Sequence, residues 1–221
     1  DWSSDVCSSD LGIITTGNEL VELGEDLVPG KIRNSNAYAL CVEVAKYNGI
    51  PVYLGIAKDT VENIRSMFAG AMEYDVVIST GGVSMGKYDF VKDVISDLGV
   101  TILIEKLKMK PGKPMTFGTR NRTLFFGLPG NPVSSLVSFM EFVRPALLLM
   151  SGAKDIRKPE LYALLDNAIH KIPGRKEYIR GIFYSKSGEP HVTTTGPQGS
   201  GLLRSMSMAN CLIVMPEESE G

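Results

Sequence analysis

Cysteine, histidine and tryptophan are scarce in this 221-residue chain, at 3, 2 and 1 copies. Cys7, Cys41 and Cys211 are odd in number and far apart, which matches neither a disulfide framework nor a zinc motif. Buried, reduced thiols of a cytoplasmic protein are the reading they support. His170 and His191 have no partner at useful spacing, and no Ser–His or Cys–His pair is suggested, so nucleophilic catalysis is not expected. An excess of one charge is also missing: a net charge of −2 gives no reason to expect nucleic acid or an anionic membrane surface as a partner. No uninterrupted apolar run approaches the ~20 residues that span a bilayer. Nothing near the start combines a basic segment, an apolar stretch and a cleavage site, so no secretory signal is expected.

What is present allows one good core and a second, smaller domain. Residues 1–11 (Asp-Trp-Ser-Ser-Asp-Val-Cys-Ser-Ser-Asp-Leu) carry neither helical nor strand periodicity. They resemble a translated sequencing adapter and are expected to be non-native, the alternative being a Ser/Asp-rich disordered tail. Gly12-Ile13-Ile14-Thr15-Thr16-Gly17 then reads as the back half of a buried strand. Strands and helices alternate from there to Gly152. Ala37, Leu40, Cys41 and Val44 share one helical face, with Asn34, Ser35 or Asn36 as the N-cap and Asn48-Gly49 as the stop. Val61, Ile64 and Phe68 are expected inward on the next helix. Asp75-Val76-Val77-Ile78-Ser79 reads as a central parallel strand covered on both faces. Thr101–Glu105, Met115–Gly118 and Thr123–Phe126 read as further strands, and Pro132–Met150 as one long apolar helix. The pattern predicts a doubly wound, mostly parallel α/β domain over 12–152, then a small, truncated all-β domain over 153–221. Ala153–Pro159 is the linker.

Three glycine-punctuated loops interrupt these elements: Ser79–Asp89, Lys110-Pro111-Gly112-Lys113-Pro114 and Gly127-Leu128-Pro129-Gly130-Asn131-Pro132. In the first, Gly81 and Gly82 allow a sharp turn with backbone N–H groups facing a ligand, with Ser84 beside them and Asp89 at the mouth of the next helix. Capping that helix is the alternative role for Asp89. In the second, Lys106, Lys108 and Lys110 share one face of an extended segment, which is unfavourable unless an anion or acidic neighbours lie among them. With Lys113 they mark either an anion site or a solvated edge strand. In the third, Asn131-Pro132 opens a helix whose first N–H groups can take a phosphate, or serves as a plain strand-to-helix turn. Glu19 and Asp59 follow the first two strands of the sheet. Together with Asp89 they place carboxylates at one sheet edge, a set that suits Mg²⁺ with phosphate oxygens.

The order Thr-Gly-Asn-Glu-Leu, Ser79–Asp89, Lys-Pro-Gly-Lys-Pro, Gly-Leu-Pro-Gly-Asn-Pro-Val-Ser and Thr195-Gly196-Pro197-Gln198-Gly199-Ser200 closely resembles the molybdopterin molybdenumtransferases, the gephyrin-like family. The resemblance implies a substrate, adenylylated molybdopterin, into whose dithiolene molybdate is inserted with release of AMP. It places Glu19, Asp59 and Asp89 on acidic site positions and Lys106 and Lys110 on lysine positions. Pro129, Gly130, Asn131 and Pro132 fall on the proline loop, and Arg180 and Ser200 on second-domain site positions. Asn18 stands where the motif usually has Asp. The resemblance further implies a homodimer that completes the site, additional domains before the α/β domain, and dealings with a molybdopterin adenylyltransferase and molybdoenzymes. The chain is accordingly expected to be a truncated reading frame, inactive or poorly soluble by itself. Alternatives are a molybdopterin adenylyltransferase-like enzyme and a non-catalytic gephyrin-like scaffold.

Overall fold

In the computed structural model, which describes residues 9–82 and 90–220, strand β1 (Asp10–Thr16) is buried at every position after the first. It leads to a short parallel pair, β2 (Leu20–Val21) and β3 (Ile32–Arg33). Helix α1 (Ser35–Lys46) follows, and of its three candidate caps Asn34 holds the position, accepting from the Ala37 N–H. Ala37, Leu40 and Val44 are its buried side chains, and Asn48, at φ 61°, ends it. Strand β4 (Ile50–Ala57) leads to α2 (Val61–Ala71), capped by Thr60, whose side chain accepts from the Asn63 N–H. Ile64 and Phe68 are inward as expected, but Val61, in the first turn, is 37% exposed. Strand β5 (Val76–Thr80) is buried throughout. Helix α3 (Phe90–Asp97), β6 (Thr101–Ile104), β7 (Met109–Lys110), β8 (Thr116–Arg120) and β9 (Thr123–Leu128) complete this region up to α4 (Pro132–Ser138).

The six-stranded sheet has the order β4-β1-β5-β9-β8-β6. Its first four strands are parallel, and β8 and β6 are antiparallel additions. Alternate residues of the central strands feed opposite faces, the period of two that a pleated strand imposes. Ile14, Val77 and Phe125 pack with Ile64, Phe68, Val94 and Ile95 of α2 and α3. Ile13, Val76, Ile78 and Phe126 pack on the other face with Leu40 and Val44 of α1 and with Phe139, Val143 and Leu147. Helices thus cover both faces, as the near-continuous apolar strands require.

Two sequence readings are corrected here. First, β1 begins at Asp10: Leu11 is fully buried and paired with Pro51 and Val76. The last two residues of the segment excluded on pattern therefore belong to the sheet, because two apolar-strand neighbours outweigh weak local periodicity. Second, Pro132–Met150 is not one α-helix. A π-helical turn (Phe139–Val143) separates α4 from α5 (Arg144–Met150). Pro145 has no N–H to give the Glu141 carbonyl, and its ring crowds that carbonyl, so the turn widens before it. By length and mean hydropathy (19 residues, 1.5) this run is apolar enough to cross a membrane. Glu141 and Arg144 interrupt it, and Val133, Val137, Phe139 and Val143 are fully buried in the core.

Beyond the linker lies a second sheet, made of β10 (Leu164–Leu165), β11 (Lys176–Lys186) and β12 (Glu189–Thr194), with β13 (Cys211–Met215) following a helix, α6 (Leu203–Met208). Its order is β10-β12-β11-β13, and β7 of the first region pairs in parallel with β11 through Met109↔Lys176 and Lys110↔Glu177. Met109, Val133, Val137 and Tyr178 form a shared apolar cluster between the two. The units are therefore packed and hydrogen-bonded to each other, with Val133 N–H donating to the Ser200 carbonyl (3.1 Å).

Candidate functional site

Strand order 4-1-5 means that the chain leaves β1 in one direction and returns on its other side. The connections leaving β1 and β5 therefore run to opposite sides, and a crevice opens beyond the paired strand ends, where open α/β sheets bind ligands. A cavity of about 650 Å³ lies there. Its wall takes Thr16 and Gly17 from the end of β1, Thr80-Gly81-Gly82 from β5 and Pro129–Pro132 from β9 and α4. Glu19 and Asp59 line it too, as do Arg33, Asn34 and Asn36.

Glycine is required at the β5 end. Gly81 has φ +92°, and a Cβ there would lie 2.5 Å from the Thr16 carbonyl oxygen. Only a residue without Cβ lets β5 turn over the end of β1. The Gly81 N–H then donates to the Leu128 carbonyl (3.1 Å), which draws the third loop over the first. Asn36, the second residue of α1, crosses between them: its Nδ2 donates to Thr80 Oγ1 (2.9 Å) and to the Gly130 carbonyl (2.7 Å).

The acidic wall is braced by reciprocal bonds. The Asn18 N–H donates to Asp59 Oδ2 (3.0 Å), and the Asp59 N–H donates to Asn18 Oδ1 (3.2 Å). Glu19 is carried on the segment between β1 and β2, whose carbonyl at Glu19 accepts from the Ile32 N–H (2.8 Å). That β2–β3 flap is anchored by the Glu22 carboxylate, which accepts from both the Tyr38 hydroxyl (2.9 Å) and the Tyr53 hydroxyl. Burial first, and then the bond to Glu22, hold the Tyr53 hydroxyl well above the ordinary phenol pKa. Tyr53 thus stays protonated and remains a donor to Glu22, and its oxygen accepts from Asn34 Nδ2 (2.7 Å).

Of the residues singled out in the sequence, Glu19, Asp59, Gly81, Gly82, Pro129, Gly130, Asn131 and Pro132 come together at this cavity. Ser84 and Asp89 lie outside the described residues. The lysines are not brought in: among its described lining residues the middle loop contributes Pro114, not Lys106, Lys110 or Lys113. Lys110 instead pairs with the Glu177 carboxylate (3.1 Å) and Lys108 with Glu217 (3.0 Å). The acidic neighbours that three aligned lysines need are thus supplied, for two of them, by the second unit, Glu177 from β11 and Glu217 from the turn after β13. The α4 start is also less open than a free helix end, since its Val133 N–H is already bonded to the Ser200 carbonyl, although Asn131 makes no side-chain cap. Arg180 is 1% exposed, donating from Nε to Ser205 Oγ (3.1 Å) and from Nη2 to the Gly199 carbonyl (3.0 Å). No carboxylate pairs with it among the described residues, and burial lowers its pKa from the usual guanidinium value. It holds the loop that delivers the Ser200 carbonyl to α4 and Gly201 to the cavity wall.

Thr16, Thr80, Asn34 and Asn36 were missed as site residues. Asn34-Ser35-Asn36 offered a signal: one helix start needs one cap, and two asparagines leave one amide over. Thr16 Oγ1 is buried without a partner among the described residues, on the cavity wall.

Comparison with known proteins finds a family match for each of the two units. Residues 12–148 match the family described as "Probable molybdopterin binding domain", and residues 162–221 match "MoeA C-terminal region (domain IV)". A molybdopterin molybdenumtransferase of Haemophilus influenzae is 36% identical over 211 residues, covering 94% of this chain and 52% of its own length. The molybdenum cofactor synthesis protein cinnamon of Drosophila melanogaster is 39% identical over 210 residues, covering 93% and 35%. The crystal structure of a molybdopterin biosynthesis MoeA protein from Pyrococcus horikoshii superposes with a TM-score of 0.81 at 28% identity, covering 96% of this chain and 51% of that one. The chain spans about half the length of the curated bacterial relatives it matches.

Proposed function

The chain belongs to the molybdopterin-binding domain family and carries a MoeA C-terminal region, and from that premise we propose that it serves molybdenum cofactor biosynthesis by inserting molybdate into adenylylated molybdopterin with release of AMP. The observation that carries this reading is the switch-point cavity, where glycine-lined strand ends, a helix start and two carboxylates meet within the matched stretch. A volume of about 650 Å³ suits a pterin with its phosphate.

Glu19 and Asp59 offer hard oxygen donors on one wall, and Asp59 is already oriented by the Asn18 N–H. This set fits Mg²⁺, which takes one or two carboxylates and keeps its waters. Bound there it would neutralise phosphate charge. The chain's own contribution is electrostatic and positional. Gly81 and Gly82 let a ligand approach the backbone without side-chain obstruction, and the third loop closes over it. The buried Arg180 contributes by position, holding through the Gly199 carbonyl the loop that sets Gly201 on the cavity wall. The lysines paired with Glu177 and Glu217 would hold the second unit in place rather than touch the pterin. Asp89 remains part of the proposal by family position. A homodimer belongs to it as well, supported by the exposed Leu161, Tyr162 and Ile172.

The test incubates the folded chain with adenylylated molybdopterin, Mg²⁺ and molybdate, reading pterin retention and AMP release separately. Retention by the chain, and molybdate-dependent release once the chain stands within a protein of its relatives' full length, both reduced in Asp59→Asn, are the expected results. No retention by a chain with native circular dichroism would overturn the reading. Retention without release in that longer protein would leave a binding module in its place.

A further inference from the structure

We propose that Asn36 is a positioning residue for this site, its side-chain amide tying the first glycine loop to the third and so setting the gap between Gly81 and Gly130. The inference rests on the cavity being the pterin site, as read above.

Backbone pairing between β5 and β9 ends with Thr80↔Leu128, and the Gly81 N–H to Leu128 carbonyl bond is its last rung. Past that rung, among the described residues, the bonds that keep the two loops together come from side chains. Asn36 Nδ2 gives one hydrogen to Thr80 Oγ1 (2.9 Å) and the other to the Gly130 carbonyl (2.7 Å). A carbonyl only accepts, so the amide nitrogen, not its oxygen, must face the loops. Thr80 Oγ1 then passes its own hydrogen to the Pro129 carbonyl (3.0 Å). Asn36, Thr80, Pro129 and Gly130 form a closed ring in which every side-chain hydrogen of Asn36 and Thr80 is spent.

Helix α1 has no use for this side chain. Its cap is Asn34, which accepts from the Ala37 N–H and is itself tied to Thr15 Oγ1 (3.0 Å) and to the Tyr53 hydroxyl (2.7 Å). The helix start is thus pinned to β1 and β4, and Asn36 projects a fixed amide from that pinned start. Gly130 sits directly over the first loop, since a Cβ on it would lie 3.5 Å from Gly81 Cα. A shift of either loop by one ångström would alter the bed on which a ligand lies.

Deleting either end of the ring should loosen both loops. In the full chain, Asn36→Ala and Thr80→Val should each speed hydrogen exchange of the Gly81 amide about tenfold, the usual weight of one lost hydrogen bond or slightly more. Peptides from β11 and β13 should be unaffected. The double variant should exchange no faster than the singles, because the bonds act as one unit. Asn36→Asp, equal in shape but lacking both hydrogens, should exceed Asn36→Ala, and Thr80→Ser should restore parental exchange. Molybdopterin affinity, read by fluorescence titration, should follow the same order with unchanged melting of the β11–β13 sheet. Unchanged Gly81 exchange in Asn36→Ala, or additive effects in the double variant, would overturn the proposal. If the parent chain binds no molybdopterin, the pterin reading fails, while the exchange series still decides the role of Asn36.

Discussion

Adding one methyl group at Gly81 should cost far more than adding the same group at Gly130, although the two residues are neighbours on the cavity wall. At Gly81 the methyl meets a backbone carbonyl, Thr16 O at 2.5 Å, and a hydroxyl of the same residue at 2.8 Å. Neither can withdraw easily, because Thr16 ends β1 and is paired with Ala57. The φ of +92° adds a second penalty for an L side chain. Left-handed backbone costs about 1–2 kcal/mol, and overpacking a tight site costs about 1–3 kcal/mol. Their sum is about 2–5 kcal/mol, which in a chain of this size lowers Tm by roughly 2–4 °C for each kcal/mol. Gly81→Ala should therefore melt on the order of 10 °C below the parent.

At Gly130 the methyl meets Gly81 alone, its Cα at 3.5 Å and its N at 3.9 Å, both ordinary contacts, and the residue is exposed with no positive φ. Gly130→Ala should stay within about 0.5 kcal/mol of the parent. It should nevertheless weaken pterin binding, since the added group enters the gap between the loops. Thermal melts by circular dichroism and pterin titrations on the two variants separate these effects. A Gly81→Ala melt within about 2 °C of the parent, or an equal fall in Gly130→Ala, would refute the close approach of β5 to Thr16.

Glu177→Gln should lower stability by no more than about 1 kcal/mol in urea unfolding, because Lys110 is half exposed and water screens the pair. A larger loss would mean that Glu177 has a buried partner besides Lys110. Asp166 accepts from the Tyr184 hydroxyl (2.7 Å) and bonds His191 Nδ1 (2.8 Å), and these bonds, Tyr184's first, lower its pKa below the ordinary carboxylate value. The stability it contributes is full above about pH 4 and is lost as pH falls through the lowered pKa. In NMR titrations Tyr184→Phe should move that pKa upward; no movement would discount the bond. Asn18→Asp would set a second carboxylate against Asp59 while keeping an acceptor for the Asp59 N–H. Calorimetry should then show tighter Mg²⁺ binding than in the parent, and equal or weaker binding would remove this corner from the metal proposal.

The α/β unit was legible because its strands are buried on both faces: Val76–Ile78 and Ile13–Ile14 have no polar interruption to confuse the pattern. The glycine loops were legible for a related reason, since a positive φ at Gly81 admits few other residues. Less visible were features decided by distant partners. Lys108 and Lys110 read as an anion site because their neutralising acids, Glu217 and Glu177, lie 109 and 67 residues further on. Leu11 gained its place from Pro51 and Val76, not from its own neighbours. Helix α6 is only Leu203–Met208, too short for a 3.6-residue period to show, and the bond from Arg180 to Ser205 fixes it from outside. The π-turn before Pro145 leaves no mark in apolar spacing, although the proline itself marks where a helix must yield.

Two residues, Met109 and Lys110, decide how this architecture can be inherited. Any recombination that joins a new partner at Ala153–Pro159 would leave behind β11, with which Met109 and Lys110 pair, and the carboxylate that Lys110 neutralises. An incoming sheet would need its own residues matched to a stretch encoded some forty codons upstream. Descent should therefore keep both halves together, and exchanges that succeed should begin before Leu107, not at the apparent seam.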